Sequence, residues 1–502
     1  MDIHNKISTI DDIKSYHGSD VVLCYGHFNL IHPGHLRYLQ HAKSLAKTLI
    51  VAVKSDEELD NGLFGEHFLE MERAEGVAGL QIVDAVIVLN QVSLDQLIGL
   101  IGPATLVLGR EFSTIHSKSI NLAIDAVQEC GKVVFHAGET HYATSNLLHN
   151  NVLDIETENK KIFRKICKNY QVTPDVIRSK ISQFSESKLL VIGDTIVDNY
   201  VACDAIGMSA EAPVLVVKEL ENREFIGGAA IVASHVKALG AGCHYISVVG
   251  KDSVSSVVKQ TLEEYDIGAD LFVDPSRPTT YKTRYMVESQ KLFRVSRIKD
   301  HKISDNIEQL VIDRLYELAP SIDGIMISDF VYGVISPAVL DAIISISKQY
   351  DIKLFGDLQC SSQVGKVTKF REFDLITPTE REARIALDDN ENGVEWVANT
   401  LLKDTRSKSM LMKLGPDGFI AYNNNLTLER QSFPALAANP VDVTGAGDSL
   451  FAAMSVSLTS GASLMEASAI GSCMASLAVK EVGNIPITGQ ELKDYMLNIL
   501  KE

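Results

Sequence analysis

What this chain has little of narrows it first. Positive charge is scarce: 47 Lys and Arg stand against 65 Asp and Glu, a net charge of −18. That argues against broad binding to nucleic acid or to anionic membranes, so any phosphate ligand must be held by local loops. Cysteine is sparse and scattered, at 24, 130, 167, 203, 243, 360 and 473, with no C-x-x-C pair. A disulfide framework or a zinc site is thereby excluded, and reduced, mostly buried thiols are expected. Only 13 prolines occur, and 46% of residues are hydrophobic, which excludes a disordered chain. No apolar run reaches membrane-spanning length, and the first residues, Met1 to Ile7, lack a signal-peptide core. The expectation is a cytoplasmic protein of 502 residues, long enough for two to four domains with their own cores.

What is present is organised around Asn439–Ala453. A polar, proline-containing approach runs into Thr444-Gly445-Ala446-Gly447-Asp448 and on into an apolar run of small residues. This reads as a loop feeding a buried helix. The N–H groups of Gly445, Ala446 and Gly447 converge on one spot, where the helix dipole also favours an anion. Asp448 stands beside it. A carboxylate there would repel bound phosphate, yet it suits a base that takes the proton of a hydroxyl attacking a phosphoryl group. The alternative is an ordinary N-cap. The full string D-V-T-G-A-G-D resembles the C-terminal signature of the ribokinase-like (PfkB) sugar kinases.

Near the N-terminus, Val21–Cys24 reads as a buried first strand of a parallel sheet, followed by Gly26 and then His32-Pro33-Gly34-His35. Leu36, Leu39 and Ala42 recur at helical spacing, so both histidines fall on one face of a first helical turn. There they suit in-line attack at a nucleotide α-phosphate. Two surface histidines or a metal pair are the alternatives. Gly26-His27-Phe28 with H-x-G-H resembles the cytidylyltransferase-like nucleotidyltransferases, with Asn29 in place of the usual Asp. The resemblance implies nucleotide contacts from Gly26, His27, Phe28, Arg73, Gly109, Arg110, Thr144 and Ser145. Lys43 is added as a residue able to reach a phosphate or to remain a surface lysine. Arg73 has a solvated helix charge as its alternative, and Thr144 and Ser145 a plain N-cap.

Residues 151–186 read as two short helices joining domains and packing on a domain or on a partner chain, with Ile162, Ile166, Tyr170, Val176, Ile177 and Ile181 at helical spacing and Thr173-Pro174-Asp175 as a start signal for the second. From 187 a second α/β unit opens, with a strand and then a turn carrying Asp194 and Asp198. Met410–Phe419 is a strand entering a Gly-rich turn, so Lys413, Gly415 and Gly418 are expected on the nucleotide wall, with a plain turn as the alternative for the two glycines. The segments 211–218, 279–287 and 291–296 suggest a small β lid.

Met208–Val214, Gly227-Gly228, Lys282, Arg284 and Ser328–Gly333 resemble the kinase half of the bifunctional heptose-7-phosphate kinase/heptose-1-phosphate adenylyltransferases, here with the domain order reversed. That resemblance implies sugar contacts from Asp194, Asp198, Gly227, Gly228, Lys282, Arg284 and Asp329. It implies ATP and Mg²⁺ contacts from Thr379 and Glu382, and a monovalent cation such as K⁺ at Asp442 and Thr444, where loop capping is the alternative. Ile231, Tyr332 and Asp357-Leu358-Gln359-Cys360 depart from the family pattern.

The expected architecture is α/β: a Rossmann-like nucleotidyltransferase domain over 1–150, a helical linker over 151–186, and a ribokinase-like domain with a small β lid over 187–502. The expected substrates are a sugar phosphate, ATP, and ATP or CTP for nucleotidyl transfer. A homodimer through the lid is expected, with neither nucleic acid nor membrane as a partner.

Overall fold

A computed structural model describes the chain apart from residues 1–5, 15, 17–19, 30, 32, 57–67, 110–117, 129–130, 136–151, 210, 212–213, 288–289, 361–362, 425–428, 438–439 and 502. It divides into two compact units: Met1–Asn151 with Asp389–Asn399, and Val152–Asp388 with Thr400–Glu502.

The first unit is built on five short strands: β1 (Val21–Gly26), β2 (Thr48–Lys54), β3 (Ala85–Leu89), β4 (Thr105–Leu108) and β5 (Lys132–Phe135). They pair in parallel in the order β3-β2-β1-β4-β5. Near-continuous apolar runs such as Val21–Tyr25 fit strands covered on both faces. Alternate residues feed two cores, Leu23 and Tyr25 on one side, Val22 and Cys24 on the other. The strand order reverses between β1 and β4, and open α/β sheets place their ligands outside the carboxyl ends at such a point. Gly26, His27 and Phe28 leave β1 there, and Gly109 follows β4.

The second unit carries a nine-stranded sheet of β6 (Lys188–Gly193), β9 (Gly242–Val249), β10 (Gly268–Val273), β13 (Gly324–Asp329), β14 (Lys353–Leu358), β15 (Leu375–Ile376), β16 (Ser409–Lys413), β17 (Phe419–Asn423) and β18 (Arg430–Phe433). The order is β10-β9-β6-β13-β14-β15-β16-β17-β18, parallel except for the two last pairings. Here the order reverses between β6 and β13. Asp194 follows the first of these strands and Asp329 ends the second.

A separate four-stranded sheet, β12-β11-β7-β8, is made by β7 (Thr195–Met208), β8 (Leu215–Gly228), β11 (Thr280–Val287) and β12 (Gln290–Arg297). This is the expected β lid, but two of its strands are longer than the sequence suggests. Asp198, read from the sequence as a turn residue, lies within β7, and Gly227 and Gly228 close β8 opposite Ile196 and Thr195. At Gly228, φ is +60° and a Cβ would meet the Asp194 carbonyl oxygen at 2.4 Å, so only glycine lets this strand turn into the helix Ala229–Ala238.

The stretch 151–186 does not act as a bare connector. Its charged first part is already helical (Val152–Asn169), and a second helix, Pro174–Ser182, starts where Thr173 caps the Val176 N–H. Phe163, Ile166, Cys167, Ile177 and Phe184 sink into the main core of the second unit. That burial explains why a segment with so many surface charges folds with this unit. Among the described residues the six cysteines are free, and burial pushes the thiols of Cys24 and Cys167 up to about 12. No described helix is long and apolar enough to cross a membrane.

Candidate active sites

The loop before the helix Ala446–Thr459 places Asp448 in its first turn. Gly445 is the cap, with φ +80°, and a Cβ on it would lie 2.3 Å from Asn484 Oδ1. The side chains of Asp448 and Asp357 are buried, and those of Gln359 and Lys413 are half-buried. Gln359 Nε2 donates to Asp448 Oδ1 at 2.7 Å and to Asp357 Oδ2 at 3.1 Å. Lys413, at the carboxyl end of β16, donates to Asp357 Oδ1 at 2.6 Å, as does Thr377 Oγ1. A Cβ on Gly447 would lie 3.5 Å from the Lys413 ammonium. One lysine therefore serves the strand ends and the helix start together.

The charges explain each other. Burial, then the Asp357 carboxylate, push Asp448 up to about 7, against the Lys413 charge and the Gln359 hydrogen bond. Burial alone would lower Lys413, but the carboxylates of Asp357, Glu382 and Asp448 together raise it. A carboxyl group poised near neutrality in the first turn of a helix suits proton acceptance from an attacking hydroxyl.

Glu382 is the third residue of the helix Glu380–Leu387 and forms a capping box with Thr379. Its oxygens accept from Thr379 N at 2.8 Å and Cys360 N at 3.1 Å. Each carboxylate oxygen can still take a further partner. Gly415 and Gly418 form the turn between β16 and β17.

On the lid side, Asp198 is buried. It accepts from the Arg284 guanidinium and from Asn484 Nδ2 at 3.3 Å, and Gly227 lets it approach the backbone. Arg284 also lies over the Tyr200 ring. Lys282 is buried over the rings of Phe330 and Tyr332, at 5.2 and 5.3 Å. Asp194 is different. Its oxygens accept from the backbone amides of Phe330 at 2.8 Å, Tyr332 at 3.2 Å and Val334 at 3.4 Å. Burial and then the Asp329 carboxylate push its pKa up to about 7 despite these bonds. It fastens the loop after β13 through these three amides. Asp329 accepts from Val331 N at 2.8 Å and pairs with Lys369.

Three residues beside the expected ones are needed to describe this site. Asp357 and Gln359 stand out in the sequence only as departures from a family pattern. Asn484 carries no signal at all, because it arrives from the stretch between the last two helices. Its Oδ1 is buried with no hydrogen-bond partner among the described residues.

The first unit brings fewer of its expected residues together. Phe28 holds a left-handed backbone, φ +52°, and its ring lies 5.0 Å from that of His35, which sits in the first turn of the helix Pro33–Leu45. Gly26, His27, Phe28, His35 and Gly109 thus share the switch-point end of the sheet. His32, Arg110, Thr144 and Ser145 lie outside the described residues.

Two expectations are corrected. Arg73 is not placed to hold phosphate: it is fully buried, donating to Phe68 O at 2.9 Å, His27 O at 2.8 Å and Asp56 Oδ1 at 2.7 Å. Nor is Lys43 placed to do so. It sits about 12 Å along the helix axis from His35, at ~1.5 Å per residue, and pairs with Asp84. Asn29 accepts from Phe68 N at 2.7 Å, so it too holds the backbone that Arg73 holds.

Comparison with known proteins agrees with both units. A model of the pfkB family of carbohydrate kinases matches residues 186–488, and a cytidylyltransferase-like model matches residues 23–267. The chain is 31% identical over 314 residues to the bifunctional protein HldE of Helicobacter hepaticus, covering 62% of this chain and 64% of that one. It is 30% identical over 312 residues to the HldE of Campylobacter jejuni subsp. doylei, covering 61% and 64%. It therefore spans under two thirds of the length of these curated relatives. Among solved structures, phosphofructokinase-2 from Escherichia coli superposes with a TM-score of 0.52 at 15% identity, covering 62% of this chain and 99% of that one. Ribokinase from Giardia lamblia superposes with 0.51 at 16%, covering 62% and 99%. At these identities the structural likeness speaks for the fold. The chain belongs to the pfkB family of carbohydrate kinases, with a cytidylyltransferase-like domain ahead of the kinase.

Proposed function

We propose that this protein activates a sugar in two steps. The second unit transfers the γ-phosphoryl of ATP to a hydroxyl of a sugar phosphate, with Asp448 accepting the proton. The amides of Gly445, Ala446 and Gly447 stabilise the developing charge, and Lys413 holds the base and its neighbours in register. Asp198, Arg284 and the open Oδ1 of Asn484 face the sugar. Positioning and charge stabilisation suffice, with no protein nucleophile. The first unit then joins the product to a nucleotide at the end of β1, where His35 and His32 meet the α-phosphate and pyrophosphate leaves.

A heptose 7-phosphate leading to an ADP-heptose for surface polysaccharide is the substrate this reading favours, since the relatives with both domain types are HldE proteins. Another sugar or polyol phosphate with CTP is the runner-up. Mg²⁺ supplies charge neutralisation at the phosphates when bound. Such a site needs only one or two carboxylates beside the phosphates, and Glu382 fits that demand. We place the protein in the cytoplasm as a homodimer joined through its lid.

The observation that carries this reading is Asp448, buried and raised to about 7, at the start of the Gly445-capped helix. A library of sugar phosphates incubated with MgATP tests it. Consumption of a heptose 7-phosphate, lost in Asp448→Asn while pyrophosphate release persists, is the expected result. Loss of neither activity in Asp448→Asn and His35→Ala would refute it.

One finding favours a second reading, in which the first unit binds a ligand without catalysing transfer. Arg73, Lys43 and Asn29 all bond within the protein. Pyrophosphate release measured across nucleotides and sugar 1-phosphates separates the two. Silence throughout, with nucleotide binding intact, selects the second.

A further inference from the structure

Asp442 lies three residues before Gly445, on the stretch that delivers the anion-holding amides. It is only 7% exposed, and four segments converge on it. Thr444 donates to Oδ1 from its N–H at 3.1 Å and its hydroxyl at 2.8 Å. The Tyr200 hydroxyl, from β7, donates to Oδ2 at 2.9 Å, and the Gly483 N–H at 3.3 Å. The Lys291 ammonium, from β12, lies 3.3 Å from Oδ1 and 3.5 Å from Thr444 Oγ1.

A buried carboxylate surrounded by neutral donors still calls for a positive charge. The sequence suggests a monovalent cation at Asp442 and Thr444. Those oxygens already face an ammonium, so the donor set does not fit a potassium ion while Lys291 is in place. Two like charges within a few ångströms of one another would repel.

We propose that Lys291 is a positioning residue that supplies, at Asp442, the charge a monovalent cation would otherwise supply. It fastens lid strand β12 to the loop that presents the anion-holding amides. The idea rests on the kinase reading of this unit. The carboxyl group behaves as if so held. Burial acts upward on Asp442, yet the Thr444 and Tyr200 hydrogen bonds with the Lys291 charge bring it below the usual carboxylate range. Tyr200 links the same carboxylate to the sugar side through the Arg284 guanidinium over its ring. A change at the lid is thereby carried to the phosphate loop.

The test uses the full chain as wild type, Lys291→Met and Lys291→Arg. Melting temperature and the Kd for MgADP are measured in potassium chloride and in N-methylglucamine chloride at matched ionic strength. Wild type and Lys291→Arg should not distinguish the two salts. Lys291→Met should bind MgADP roughly tenfold more weakly without potassium, within the usual range of coupling, and recover when potassium is added. Its melting temperature should fall and recover in parallel. Wild type that depends on potassium as strongly as Lys291→Met overturns the proposal. So does a Lys291→Met protein that loses affinity without potassium rescue, or one indifferent to both salts. Failure of every form to bind MgADP would count against the kinase reading, while the melting temperatures would still decide the role of Lys291.

Discussion

The two units use similar side chains at similar places to opposite ends. Both gather charged groups at the carboxyl ends of a parallel sheet, beside a strand-order reversal. In the second unit, Asp448 keeps one oxygen on Gln359 and stands in the first turn of the Gly445-capped helix. In the first, Arg73 places its guanidinium on two backbone carbonyls and Asp56. A charged side chain near a strand end is reactive when its surroundings leave bonding capacity open, and structural when they exhaust it. Sequence proximity to a motif does not tell the two cases apart.

The largest effect expected from this contrast is at Asp448. Asp448→Asn should lower sugar phosphorylation by about 10²–10⁴-fold, the usual contribution of general base catalysis, with nucleotide affinity little changed. A phosphorylation assay with MgATP reads it, and near-wild-type turnover would erase the distinction between the units.

Next is Arg73→Ala, which should destabilise the first unit by about 2–3 kcal/mol, because it removes a buried side chain and its three hydrogen bonds to partly buried acceptors. Denaturant melting checks this. Unchanged stability with lost nucleotide binding would return Arg73 to the phosphate-ligand role.

A third, smaller effect is in pH. Activity requiring ionised Asp448 should rise through about 7 and fall roughly tenfold per unit below it. Stability should move the other way. The folded Asp448 binds its proton up to about 7, whereas the unfolded group releases it near 3.8. Its contribution is therefore full below 3.8 and declines as pH rises to about 7. Pyrophosphate release by the first unit should not follow this profile, and a shared profile would argue against separate centres.

The smallest effect belongs to Lys43→Ala. Its partly exposed pair with Asp84 contributes about 0–1 kcal/mol, and nucleotidyl transfer should be unaltered. A large loss of transfer would mean that the helix end, and not only its start, meets the ligand.

Much of this could be read in advance. Apolar strand runs, the spacing of Leu36, Leu39 and Ala42, and the Thr173-Pro174 start signal are local patterns with local causes. The Gly445–Asp448 turn was legible because glycine geometry and helix-end amides make the same site wherever that string occurs. The long strands β7 and β8 were less visible, since one end of each is continuously buried and the rest largely exposed, without the alternation that burial of one face imposes. The packing of 152–186 was obscured by its surface charges, because only one face of each helix meets the core.

Chain chemistry alone therefore indicated the α/β class, the two-part organisation and the position of Asp448 at a helix start, since each follows from neighbouring residues. Tertiary structure decided which charges are available. Asp357 and Gln359 come from the end of β14, Lys413 from the end of β16, Asn484 from between the last helices, and Lys291 from the lid. Arg73 was removed from candidacy by partners up to 46 residues away. Whether a buried polar group is satisfied depends on atoms that only folding brings within hydrogen-bonding distance, and no spacing along the chain encodes that.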